Sequence, residues 1–124
     1  MTTIIKHGQC PLINSKSNAH IQYDILMNDK GNRFVRLIAS SGGGFLSQDR
    51  IEVKDIKALL MAVNDNTHFS STLFNPLFKG KSANNAAFLA AALRAEGVIT
   101  QSNNHTYKHR ILNIDAISLL KPVK

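Results

Sequence analysis

The chain has 124 residues, 44% of them hydrophobic and 19% charged, and its 15 Lys and Arg against 8 Asp and Glu give a formal charge of +7. That length suits one cooperative core, the apolar content excludes a disordered chain, and the charge favours polyanionic partners. A lone cysteine, Cys10, excludes an internal disulfide and suits a reducing, cytoplasmic setting, while the longest apolar run, Ala86 to Leu93, is far below the roughly 20 residues of a membrane span.

Thr2 to Ile5 read as a short strand, followed by a loop through His7-Gly8, Cys10-Pro11 and Asn14 to Asn18. Ile21, Tyr23, Ile25 and Met27 then alternate with Gln22, Asp24 and Asn28, the period of a half-buried strand, and Phe34 to Ala39 form a second β-prone run. Between them Asn28-Asp29-Lys30-Gly31-Asn32 suits a type I turn with Gly31 in the left-handed region. Pairing Asn28 with Asn32 sets the register. It places Ile21, Tyr23 and Ile25 on one face with Val35, Leu37 and Ala39, and Asp24 opposite Arg36 on the other.

Gly42-Gly43-Gly44 forces a turn or loop. Asp49 and Glu52 have the spacing of a capping box, although β-branched Ile51 and Val53 equally suit a strand; a helix is running by Lys54. Ile56, Leu59, Leu60 and Val63 form its apolar stripe, and Asn64-Asp65-Asn66 ends it. Phe69, Leu73 and Leu77, with Ser70 or Ser71 as cap, predict a short helix up to Pro76. The longest helix runs over 83–96, capped by Ser82 and ended by Gly97, and its unbroken apolar stretch predicts burial around most of its circumference. Val98 to Gln101 and Thr106 to Ile114 read as two strands joined at Asn103-Asn104, with Lys108 and Arg110 on one face and Tyr107, His109 and Ile111 on the other. Asp115 to Leu120 add a helical turn. The fold class is α+β in a single domain over 1–124, an N-terminal antiparallel hairpin in a β-rich part (1–45) packed on a helical part (46–124).

No catalytic motif emerges, and the chain reads as non-enzymatic, with no cofactor. Gly80-Lys81-Ser82 before a helix matches the end of a phosphate-binding loop, but Asn75 stands where that motif needs its first glycine, and no strand supplies a magnesium aspartate. The glycines at 42–44 are a weak anion nest at most. His105 and His109 are four apart on a strand, where they cannot share an ion, and His7 and Cys10 are remote, so no metal site is predicted.

Residues 54 to 114 run helix, short helix, long helix, two-stranded hairpin. With Leu89, Leu93, Gly97 and Ile99 in the pattern L-x-x-x-L-x-x-x-G-x-I and the hairpin through Tyr107 to Leu112, this half resembles the winged-helix family. The resemblance implies DNA binding, with the third helix entering the major groove and the hairpin wing along the backbone, in a regulatory or accessory role. Lys79 and Lys81 would flank the helix start capped by Ser82, where free N–H groups favour phosphate, Asn84 and Asn85 would face bases, and Lys108 and Arg110 would line the wing. Apart from Asn84, Asn85, Arg94 and Glu96 the helix is apolar, which favours phosphate contact over sequence reading. Lys30, Arg33 and Arg36 on the N-terminal hairpin would extend the basic surface or form a dimer edge. The alternative is a protein-interaction or assembly module, with a protein partner or a second copy of the chain, that uses the winged-helix-like half or the hairpin's edge.

Overall fold

The computed structural model describes residues 2–13, 19–40, 50–63, 68–78, 83–102 and 105–120. The hairpin at its centre forms as its turn chemistry dictates. The Asn28 N–H donates to the Asn32 carbonyl at 3.0 Å, and the Asn28 side-chain oxygen accepts from the N–H groups of Lys30 and Asn32. Gly31 holds φ +83°, a conformation that costs an L side chain about 1 kcal/mol or more. Gly31→Ala is accordingly expected to lower stability by about 1 kcal/mol, read as a lower midpoint in urea with an unchanged slope.

Strands β1 (Thr3–Pro11), β2 (His20–Met27), β3 (Arg33–Ser40) and β4 (Arg50–Glu52) form one antiparallel sheet in the order β1-β2-β3-β4. Tyr23 pairs with Leu37, Asp24 with Arg36 and Ile25 with Val35, the register set by the turn. Beyond Tyr23 the register shifts, so that Ile21 meets Ser40 and not Ala39; the extra residue on β3 is Ile38, which is left partly exposed. The hairpin is therefore the middle of a four-stranded sheet. The opening strand is longer than Thr2 to Ile5 and covers one edge of the hairpin, and Arg50–Glu52 cover part of the other.

Helix α1 (Val53–Met61) follows β4 directly, with Glu52 at its N-cap and no side-chain cap, so Arg50 to Glu52 are strand and the helix begins after Glu52; Asp49 itself, like the glycines at 42–44, lies outside the described residues. A 3₁₀ segment, Ser71–Leu77, accommodates Pro76 where an α-helix was expected. Helix α2 (Ala83–Ala95) ends at Gly97, whose φ is +80°. Strands β5 (Ile99–Ser102) and β6 (His105–Ile111) form a separate two-stranded ribbon.

Helix α2 is the centre of the molecule. It lies between β1 and β2 on one side and the 3₁₀ segment and β5 on the other. Phe88 and every residue from Leu89 to Leu93 are buried, and the alanines at 90, 91 and 92 allow neighbours to approach closely. One hydrophobic cluster joins Ile21, Tyr23 and Leu37 of the sheet, Ile56 and Leu60 of α1, Phe74, α2, Ile99 and Ile117. The C-terminal turn over 114–119 is held down by Arg33, whose Nη1 donates to the carbonyls of Ile117 and Leu120, and by Lys57, whose Nζ lies 2.7 Å from an Asp115 oxygen.

Candidate nucleic-acid interface

On the β5–β6 ribbon Ile99 pairs with Ile111, Thr100 with Arg110 and Gln101 with His109. Along β6 the side chains alternate: Lys108 and Arg110 are exposed, and His109 between them is fully buried. Strand geometry thus sends both cations outward from one anchored residue. Neither has an acidic partner among the described residues.

The anchor is a chain of three side chains. The Arg94 Nε–H, at the end of α2, donates to His109 Nδ1 at 3.0 Å, and Arg94 Nη2 donates to the Lys108 carbonyl at 3.1 Å. A guanidinium can only donate, so Nδ1 must accept and the ring's proton sits on Nε2, 2.9 Å from the Ser71 hydroxyl oxygen. The backbone of His109 also exchanges hydrogen bonds with Phe69 in both directions, at 2.7 and 3.1 Å. Burial, and then the Arg94 charge, push His109 down to about 4. The ring is neutral at physiological pH, and its Nε2 gives a proton toward Ser71 instead of taking one. A hydrolytic Ser-His pair requires the reverse polarity, with a carboxylate where Arg94 stands. The chain therefore does mechanical work: it ties the ribbon to α2 and to the 3₁₀ segment.

Of the residues nominated from sequence, Lys108 and Arg110 come together on this face. Asn85 does not: its exposure is 0%, so it belongs to the interior and no base can reach it. The reason is the one that makes α2 central, since the packing that encloses the helix already reaches its first turn, where Ala86 beside Asn85 is buried too. Asn84 falls in the first turn of α2; its side chain, and all of Lys79, Lys81 and Ser82, lie outside the described residues, as does Asn103-Asn104. The residues that sequence reasoning missed are Arg94 and His109. Their only signal was position, a basic residue in a last helical turn and an imidazole on the inward face of a strand.

The other cations are largely engaged. Across the outer sheet face the register aligns His7, Asp24, Arg36 and Arg50 in one row. Asp24 accepts from His7 Nδ1 at 2.6 Å and lies 3.7 Å from Arg36, while Arg50 donates to Thr2 Oγ1. Arg33 caps the C-terminal turn. The expected extension of the basic surface over the hairpin through Arg33 and Arg36 is thus replaced by internal pairing. On the inner face Lys6 grips both oxygens of the Glu96 carboxylate, Oε2 at 2.8 Å and Oε1 at 3.0 Å, and the Tyr23 hydroxyl donates to Oε2 as well. Burial and then Glu96 push the Cys10 thiol up to about 11, so it holds its proton at neutral pH and is a poor nucleophile. The His68 and His105 rings lie 5.3 Å apart, with His68 bonded to Ser102, and His109 is committed elsewhere. Among the described residues no group of three metal-ligating side chains occurs, and no helix is long and apolar enough to cross a membrane.

No protein-family model, no curated protein and no solved structure matches the chain.

Proposed function

We propose that this protein is a non-enzymatic DNA-binding protein, regulatory or accessory in role, that contacts phosphates through the exposed face of its β5–β6 ribbon. The observation that carries the reading is the pair Lys108 and Arg110, held outward on either side of buried His109 and unneutralised by any described acid. Two cations fixed on a rigid strand attract a polyanion without paying much side-chain ordering beyond their own, and they carry no sequence information. The order of elements over 53–111 supports a winged-helix-like reading of this half. So does the Phe69–His109 bridge, which attaches the segment between the first two helical elements to the returning strand of the ribbon.

Specificity is expected to be low, because Asn85 is buried and the middle of α2 presents no polar face. The test is a salt titration of binding to random-sequence DNA. Affinity should fall steeply with salt, and Lys108→Ala and Arg110→Ala should each reduce the logarithmic slope by about one unit. Binding insensitive to salt, or slopes unmoved by both substitutions, would remove the proposal. An assembly module acting through the hairpin's edge has less support. The hairpin is paired along β1 on one side and over Phe34 to Arg36 on the other, and the outer strand β1 carries a bulge between Ile4 and Lys6, a feature that discourages strand addition.

A further inference from the structure

Where β5 stops and β6 starts, three side chains meet that the sequence holds apart. Ser102 and His105 are cross-strand partners, so their side chains leave the ribbon on the same face. His68 arrives from outside the ribbon. It precedes Phe69, whose backbone exchanges hydrogen bonds with His109 at 2.7 and 3.1 Å, and its Nδ1 is bonded to the Ser102 hydroxyl, which lies farther from Nε2 at 3.5 Å. The result is a pair of imidazoles with ring centroids 5.3 Å apart and planes tilted by 54°.

Both histidines are exposed, while Ser102 is fully buried. A buried hydroxyl that accepts the Nδ1 proton fixes the His68 ring and leaves the Nε2 lone pair to a ligand, the orienting arrangement that metal-binding histidines ordinarily have. His105 has its ring contact with His68 and no hydrogen bond among the described residues. The spacing selects the ion. With each nitrogen about 2.1 Å from a zinc ion and about 1.1 Å from its own ring centre, two imidazoles at a tetrahedral angle have centroids about 5.2 Å apart, and at an octahedral right angle about 4.5 Å. The observed 5.3 Å matches the first. No third ligand of the His, Cys, Asp or Glu type joins the pair among the described residues, so ions that seek carboxylates, magnesium and calcium, have nothing to hold, and water fills the remaining positions.

We infer that His68 and His105 together bind a divalent transition-metal ion of the zinc type, with Ser102 orienting the first ring. The site does not depend on the DNA-binding reading. His109, which chain spacing would pair with His105, is excluded because Arg94 and Ser71 take its two nitrogens. A bound ion ties the segment before the 3₁₀ helix to the ribbon beside the Phe69–His109 bridge, so it stabilises the folded chain.

Calorimetric titration of the intact protein with zinc chloride, at neutral pH in a non-coordinating buffer, should show one site of micromolar order. His68→Ala and His105→Ala should each weaken it by roughly tenfold or more, and the double variant should lose little beyond either single one. His7→Ala should leave it unchanged. Because His105 is exposed and makes no described hydrogen bond, His105→Ala without metal should unfold at the parent's urea midpoint; zinc should raise that midpoint for the parent and not for the variant. Zinc affinity undiminished by either histidine substitution, affinity lost in His7→Ala, or no binding up to millimolar zinc would each overturn the site.

Discussion

A methyl group at position 8 is expected to destabilise this protein by about 3 kcal/mol, at the upper end of what overpacking a core costs. A Cβ built on Gly8 would fall 2.1 Å from Tyr23 Cζ and within 2.6 Å of both Cε atoms, at the hydroxyl end of the ring. Gly8 and Tyr23 are paired across β1 and β2, and the ring lies over the glycine as an aromatic cover for the bare outer strand. Such a ring ordinarily swings aside at small cost. Here it cannot, because its hydroxyl is bonded to Glu96, whose side chain is 3% exposed and is held in turn by Lys6. Moving the ring leaves a buried carboxylate short of a donor, and keeping it leaves a steric overlap. Burial, then the hydrogen bond to Glu96 and its charge, also push the Tyr23 hydroxyl well above the usual phenol range, so it remains a donor at all ordinary pH. Urea unfolding of Gly8→Ala measures the loss, and the same substitution in a Tyr23→Leu background should cost much less, giving a large coupling in the double-mutant cycle. A Gly8→Ala protein as stable as the parent, or penalties that simply add, would mean that the ring is free to move.

Acidification between pH 6.5 and about 4 is expected to cost up to about 3 kcal/mol through His109 alone. Above pH 6.5 the imidazole is neutral in both folded and unfolded chains, and the site contributes its full stability. As pH falls through 6.5 the unfolded ring takes up a proton while the folded ring cannot, held neutral by burial and by the Arg94 guanidinium on Nδ1. Unfolding therefore binds a proton throughout that window, and stability drops until both states are protonated below about 4. His109→Gln removes the titrating ring: the variant should start less stable at pH 7 and lose about one proton's worth of slope in a plot of unfolding free energy against pH. An unchanged slope would show that His109 does not govern the acid limb. Because His109 orients the strand that carries Lys108 and Arg110, the proposed DNA contact should weaken over the same range only where the ribbon detaches.

Helix α2 illustrates how a pattern read along the chain can be right about burial and wrong about use. The unbroken apolar run from Ala86 to Leu93 already implied a helix enclosed on most sides, and it is. Its resemblance to a groove-reading helix nevertheless placed Asn85 at an interface. Polarity in a first helical turn is not exposure, and the sheet that covers this helix comes from residues far away in sequence. The basic surface was misjudged for the same reason: Arg33 and Arg36 look available on a hairpin, but one reaches carbonyls near residue 120 and the other a buried aspartate.

What the sequence determined by itself is what local chemistry controls. Asn28 through Asn32 specified the turn, the positive φ of Gly31 and the register of Tyr23 on Leu37; Gly97 ended the longest helix; and alternation along β6 separated Lys108 and Arg110 from His109. Only the tertiary structure decided that Gly8 must lack a side chain, that Glu96 joins Lys6 to Tyr23, and that Arg94 fixes the His109 ring against Ser71. Each of those depends on side chains brought together over separations of 15 to 90 residues. Turn and helix-end preferences act within a few bonds and leave a mark in composition, whereas a donor and an acceptor meeting across the core are selected by packing and leave none.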